Sequence, residues 1–310
     1  MKAVVINEYG SRDQLKMTDI EIPDIANDEV LVEVKATSIN PIDWKLREGY
    51  LSEMIPLDFP IILGWDVSGV ITRIGSDVTN FKVGDKILAR PDLTNRGTYA
   101  QYTAVKEDKL ALLPDNVSFE EGAALPLAGL TAWQGIYDEL DVQPGQKVLI
   151  QGGAGGVGII AIQVLKHIGA TVVTTASAKN ADFLKELGAD QVIDYNTEDF
   201  SDVLSDMDAV FDTIGGDTLD KSYKILKPGG KLTTIAGAVN EDLAKENQVT
   251  ATSLWLSPNG AQLTELVNLV SQGKVKVIID SVQEFSEDGL EKAHEISESH
   301  HAKGKIVVKM

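Results

Sequence analysis

Residues 147–179 read KVLIQGGAGGVGIIAIQVLKHIGATVVTTASAK, and each third of this stretch obeys a different physical rule. Val148-Leu149-Ile150 is a short, unbroken apolar run, the pattern of a strand covered on both faces. It ends in Gly153-Ala154-Gly155-Gly156-Val157-Gly158, a complete GxGxxG. Apolar residues then recur at helical spacing through Ile159, Ile160, Ile162, Val164 and Leu165. Lys166 and His167 suit the negative end of that helix, and Gly169 can close it. A second strand is expected at Thr171–Thr175. Strand, glycine turn, helix and strand in this order form a dinucleotide-binding unit. The glycines let backbone approach a pyrophosphate, and the helix start offers unpaired N–H groups. Gly153, Gly155, Gly156, Val157 and Gly158 are therefore candidate cofactor contacts.

The second strand bears on which dinucleotide is held. An NAD site places an acid about 20 residues beyond the first glycine, on the ribose 2′-hydroxyl. Val173 to Ser177 contain no acid, and the chain continues Ala178-Lys179-Asn180. A hydroxyl and an ammonium without a carboxylate suit a 2′-phosphate, so Ser177 and Lys179 point to NADPH.

Around this unit, helix and strand alternate. Asn180 is expected to cap a helix ending at Leu187-Gly188. Further strands are expected at residues 191–194, 208–212, 231–236 and 249–255, the order of a doubly wound parallel sheet. Strand carboxyl ends line the cofactor crevice in such sheets, which makes Ile214, Gly215, Ala236, Gly237 and Ala238 candidates. Residues 1–118 instead show short strands separated by Gly and Pro, the pattern of a partly open β-barrel. Ser118-Phe119-Glu120-Glu121 is a capping box opening a helix to about Leu140, bent at Pro126. From about Lys274 the pattern becomes strand, helix, strand, a tail expected to return to the first domain.

Composition bounds the function. The 310 residues carry a formal net charge of −19, against nucleic-acid or anionic-membrane binding. The chain contains no cysteine, which removes disulfides, thiolate nucleophiles and cysteine metal ligands. No signal-like or membrane-length apolar run is present, and a cytoplasmic location is expected.

Several segments together resemble a known family: KAVVINEYG, NPIDWKLREGY at 40–50, GWDVSGVI at 64–71, VGDKI, LPLAGLTAW at 125–133 and GGAGGVGIIAIQ. The chain is similar to the medium-chain dehydrogenase/reductase superfamily, and within it to the zinc-free quinone oxidoreductase (zeta-crystallin-like) branch. The resemblance implies an α/β protein with a GroES-like partly open β-barrel and a Rossmann sheet. It gives domain bounds of 1–118 (GroES-like), 119–274 (NADP(H)-binding) and 275–310 (returning tail). In the zinc-dependent members a metal-binding Cys sits where Asn40 stands, and a His-Glu pair where Trp65-Asp66 stand. An amide and an indole do not supply a tetrahedral zinc site, so no metal is expected. His167, His294, His300 and His301 are all expected at the surface.

The resemblance also implies the reaction. NADPH carries the hydride, and an acceptor that is already electrophilic, a quinone or an α,β-unsaturated carbonyl, needs no Lewis acid. Hydrogen-bond donors would steady the developing oxyanion. Asn40 and Lys45 are the candidates near the nicotinamide ribose and substrate oxygen, though Asn40 is equally suited to forming the turn before Pro41. Asp43 is expected to bind nearby backbone. Trp65 lines the substrate cleft or packs in the core, and Trp255 faces substrate or is buried. Tyr50 is either a rim tyrosine or a proton donor, the latter implying a 2-enoyl thioester reductase. Thr131 and Leu254 are expected near the nicotinamide, and Tyr195 near the adenine ribose. A homodimer joined by edge pairing of Rossmann sheets near residues 231–240 is implied as well. A non-enzymatic NADPH-binding protein, crystallin-like or redox-sensing, is the alternative of a different class.

Overall fold

The computed structural model describes residues 1–310, which separate into two compact units. The first comprises Met1–Leu130, Pro258–Gly273 and Val277–Met310, and the second Thr131–Ser257 with Lys274–Lys276. Residues 119–130 and 258–273, which the sequence pattern groups with the nucleotide-binding segment, lie in the first unit. The capping box explains part of this. Ser118 and Glu121 satisfy each other's backbone N–H groups and start the helix Phe119–Ala124. Its Ala123 and Ala124 then bury against Ala36 and Val307 of the first unit's sheet. Pro126, which has no N–H to donate, divides the expected single helix into Phe119–Ala124 and Pro126–Gln134.

The first unit is built on a long strand, Glu29–Ile39, that pairs with three others. Its alternating VLVEV pattern buries Val30, Val32 and Val34 among Val67, Ile71, Ile87 and Val105. Two irregularities in its register with Val67–Ile74 let the eleven-residue strand bend while pairing. The full sheet has seven strands, and a three-stranded sheet of Lys16–Asp19, Lys2–Ile6 and Ile61–Ile62 stands beside it. This is the GroES-like arrangement of short strands. The tail contributes Ile279–Glu284, the helix Glu287–Glu298 and the strand Lys305–Lys309, which pairs antiparallel with residues 36–39.

The second unit is a six-stranded parallel sheet. Its spatial order is Gln191–Asp194, Thr171–Ala176, Lys147–Ile150, Met207–Asp212, Leu226–Thr234 and Thr250–Ser253. In chain order that is 3-2-1-4-5-6, the Rossmann order, in which the crevice opens beside the first strand. Gly169, left-handed at φ 95°, closes the helix Gly156–Ile168 by donating to Leu165 and Lys166. Two local expectations are corrected. Asn180 does not cap the next helix; its backbone is helical and its amide donates to Ser177 at 3.4 Å. Residues 231–234 are not a sheet edge, because they lie between two strands; the sheet's two edges are Gln191–Asp194 and Thr250–Ser253. No helix is long and apolar enough to cross a membrane.

Candidate active site

In the second unit the glycine turn is held by threonines. Gly152, at φ 72°, donates to Thr175 Oγ1 at 3.1 Å, and Gly153 donates to the Thr175 carbonyl at 3.0 Å. A side chain at Gly153 would collide with Thr174, and one at Gly158 would come within 2.5 Å of the Gly152 carbonyl. At Gly155 the added atom would meet only one neighbour, at 3.4 Å, so space is open beside the helix start. No side chain caps that helix. Open space and uncapped N–H groups of Gly156, Val157 and Gly158 fit a diphosphate. Gly158→Ala is expected to push the turn apart and lower thermal stability by about 1–3 kcal/mol, with weaker NADPH binding by calorimetry.

The neighbouring strand ends are fixed by an acid the sequence reading did not single out. Asp212, fully buried, accepts from the N–H groups of Ile214 and Gly215 at 3.2 and 3.0 Å and from Thr234 Oγ1 at 2.6 Å. Thr234 in turn accepts from Ala236 N–H at 3.0 Å. One carboxylate thus ties the loops carrying Ile214, Gly215 and Ala236 together, and Gly237 and Ala238 follow, both exposed. Gln134 bonds Ser257 through both ends of its amide, at 2.7 and 3.1 Å, which anchors the loop bearing Leu254 and Trp255. Trp255 is 56 % exposed. Ser177 is half-buried and Lys179 exposed on the short turn Ala178–Asn180, and Tyr195 is exposed. Thr131 is buried.

In the first unit a buried polar cluster surrounds Asp66. Its Oδ2 accepts from Ser38 Oγ at 2.7 Å and Asn40 Nδ2 at 2.8 Å, and Lys305 Nζ stands 3.5 Å away. Its Oδ1 accepts from the Leu127 N–H at 2.7 Å. Lys305 Nζ also donates to the Ile39 carbonyl at 2.9 Å and to Asn40 Oδ1. Asn40 is therefore held at both ends of its amide, and it precedes the helix Pro41–Arg47. Burial lowers the Lys305 pKa, opposed by Asp66 and Asp43.

Asp43 binds backbone, as expected: its Oδ2 accepts from Asn40 N–H at 2.8 Å and from the Tyr99 hydroxyl at 2.9 Å. Burial raises its pKa to about 7. Tyr99 O–H also lies 3.1 Å from His294 Nε2, whose Nδ1 is 3.0 Å from Arg47 Nη1. His294 corrects the surface expectation. It is fully buried, and burial followed by the Arg47 charge pushes its pKa down to about 3. Only the other three histidines are exposed.

Trp65 is also corrected as a lining residue: it is fully buried in the core with Ile61, Leu63, Tyr99 and Ile306. Lys45 and Tyr50 are exposed and flank Trp44, Lys45 Nζ 5.6 Å from its ring and Tyr50 edge-on at 6.4 Å. The structure thus gathers Asn40 with Asp66 and Lys305, while Lys45 and Tyr50 stand at the surface of the same unit.

The sequence matches the alcohol dehydrogenase GroES-like domain family over residues 26–115 and the zinc-binding dehydrogenase family over residues 187–308. A tomato (Solanum lycopersicum) 2-methylene-furan-3-one reductase is 38% identical over 99% of this chain and 79% of its own length. The chain belongs to the medium-chain dehydrogenase/reductase superfamily, in its quinone oxidoreductase branch. Another relative, the chloroplastic NADPH-dependent alkenal/one oxidoreductase of Arabidopsis thaliana, is 38% identical, with 99% of this chain and 79% of the relative covered. Among solved structures, the quinone oxidoreductase of Coxiella burnetii superposes with a TM-score of 0.94 at 37% identity, covering 100% of this chain and 99% of the other.

Proposed function

We propose that this protein is an NADPH-dependent, zinc-independent oxidoreductase that reduces a quinone or an α,β-unsaturated carbonyl. The observation that carries the cofactor half is the open, uncapped helix start at Gly155, followed by a second strand ending without an acid. NADPH supplies the hydride when bound. The chain's own residues hold the diphosphate at Gly155–Gly158, the 2′-phosphate at Ser177 and Lys179, and the nicotinamide end near Thr131 and Leu254. Zinc independence is supported by the donors at the position where zinc-dependent members bind metal. Asn40 is committed to Asp66 and Lys305, and the Trp65 indole faces the core. With three segments forming the first unit, residues 1–118 and the tail would carry the acceptor half and residues 131–257 the cofactor half.

The test is NADPH oxidation against quinones, 2-alkenals and enoyl thioesters. Turnover with the first two classes is expected, and tight NADPH binding with no turnover throughout would instead mark a non-enzymatic binding protein. Tyr50→Phe separates the thioester reading, because only a proton-donating Tyr50 would make turnover fall steeply. Lys179→Ala is expected to weaken NADPH by about 10–100-fold and NADH by less than threefold, measured by fluorescence titration. Equal losses for both would remove the 2′-phosphate assignment. A cytoplasmic homodimer completes the proposal; the absence of cysteine and the open Thr250–Ser253 edge support it, and light scattering tests the dimer.

A further inference from the structure

Gln151 follows the first strand of the parallel sheet, Lys147–Ile150, and is 1 % exposed where the glycine turn begins. A buried amide is costly unless both of its ends are hydrogen-bonded. Its Oε1 accepts from Thr175 Oγ1 at 2.7 Å, and its Nε2 donates to Ser222 Oγ at 3.3 Å. Thr175 Oγ1 itself accepts from the Gly152 N–H at 3.1 Å, and Ser222 Oγ donates onward to the Thr218 carbonyl at 2.8 Å. One unbroken chain of hydrogen bonds therefore runs from the glycine turn, past the strand Thr171–Ala176, into the helix Gly216–Ser222. The Gly152 N–H can only donate and the Thr218 carbonyl can only accept, which sets the direction of the links between them. Thr175 and Ser222 are buried with Gln151.

The backbone of Gln151 is engaged on the other side. Its N–H donates to the Phe211 carbonyl at 3.0 Å, and its own carbonyl accepts from Thr213 Oγ1 at 2.8 Å. This one residue thus meets the second strand, the end of the fourth strand and the helix that follows it. In a sheet ordered 3-2-1-4-5-6 the dinucleotide crosses between the first and fourth strands, and Gln151 stands at that point. The turn beside it has little slack. A side-chain atom added at Gly152 would come within 2.8 Å of Thr213 Oγ1 and 2.9 Å of Ile214 Cδ1. The uncapped N–H groups of Gly156–Gly158 lie at the far end of the same turn, and groups that bind a ligand must be held within about 0.5 Å of the productive geometry.

We propose that Gln151 is a positioning residue for the cofactor: its amide, clamped between Thr175 and Ser222, sets the glycine turn at the spacing from the Thr213–Gly215 loop that a diphosphate needs. The assignment rests on the dinucleotide reading above and adds the side chain that holds that site ready. Gln151 acts through the turn and not on the reacting atoms. The diphosphate is common to NADH and NADPH, so the clamp serves both equally, while Ser177 and Lys179 choose between them.

The test titrates NADPH, NADH and 2′-AMP into wild type and variants by calorimetry; 2′-AMP carries the 2′-phosphate without the diphosphate. Gln151→Met keeps the length and loses both hydrogen bonds, and is expected to weaken NADPH and NADH alike by about tenfold. Its affinity for 2′-AMP is expected to stay within about twofold of wild type, a split that general loosening of the sheet would not give. Thr175→Val breaks the same chain and is expected to match Gln151→Met, whereas Thr175→Ser keeps the hydroxyl and most of the affinity. The double variant of Gln151→Met with Thr175→Val is expected to lose no more than about twofold beyond either single change, because one chain is broken once. Should thermal melting show Gln151→Met unfolded, Thr175→Val against Thr175→Ser carries the same comparison. Folded variants with unchanged NADPH and NADH affinity, or with 2′-AMP weakened equally, would overturn the proposal. Wild type that binds NADH as tightly as NADPH, with both weakened in Gln151→Met, would leave the proposal standing and sink the 2′-phosphate reading. Wild type that binds neither would sink the dinucleotide reading and this assignment with it.

Discussion

Lys305→Met is expected to destabilise the protein by about 3–5 kcal/mol, the largest stability loss of any single change considered. The ammonium is 6 % exposed and Asp66 fully buried, so removing the cation leaves a carboxylate in a low-dielectric site. Three other donors still reach Asp66, from Ser38, Asn40 and Leu127, which keeps the effect below that of an isolated buried charge. Asn40 would also lose the donor to its carbonyl oxygen and be held at only one end of its amide. A double-mutant cycle with Asp66→Asn, read by urea unfolding, is expected to give a coupling of at least about 1 kcal/mol. Strict additivity would show that the two residues act independently and that the cluster is not one unit.

The second large effect concerns pH, and its sign follows from two shifts that oppose each other. His294 has its pKa lowered from 6.5 to about 3, so the fold binds fewer protons than the unfolded chain between those values. Its contribution to stability is lost as pH falls through that window. Asp43 has its pKa raised from 3.8 to about 7, so the fold binds more protons there, and its contribution is lost as pH rises. Between about pH 4 and 6.5 the two slopes cancel in the native protein. His294→Gln removes one of them. Relative to wild type, the variant is expected to gain stability on acidification through that range, by up to about 1.4 kcal/mol per pH unit. Urea titrations of both proteins at several pH values check it; a pH-independent difference would mean that His294 is not neutral and buried.

Features set by short-range pattern were legible in the sequence. The strand–glycine turn–helix unit, the strands that follow it and the capping box at Ser118 each depend on neighbours within a few positions. That Pro126 disturbs its helix was legible for the same reason, since it needs only a missing N–H, but the expected bend is a break into two helices. The buried cluster was not. Lys305 meets Asp66 across 239 residues of chain and His294 meets Tyr99 across 195, separations no periodicity can report. A histidine among the charges of the helix Glu287–Glu298 reads as a surface residue, although His294 shares the buried face of Leu290 and Ala293, and Arg47 and Tyr99 show what holds it inside. Trp65 was ambiguous because an indole before an acid is equally suited to a cleft wall and to a core. Asp212 carried a faint signal, a carboxylate closing the apolar run Ala209-Val210-Phe211, of a kind that strand ends often use to hold turns.

The strand Lys305–Lys309 lies inside its sheet, between Ile279–Glu284 and Glu29–Ile39. Synthesis runs from the amino end, so every residue from Thr131 to Ser257 has left the ribosome before that strand exists. The nucleotide-binding half can therefore mature on a nascent chain while the earlier-made half waits with an open seam. The ammonium that Asp66 needs arrives only after the nucleotide-binding half has been made.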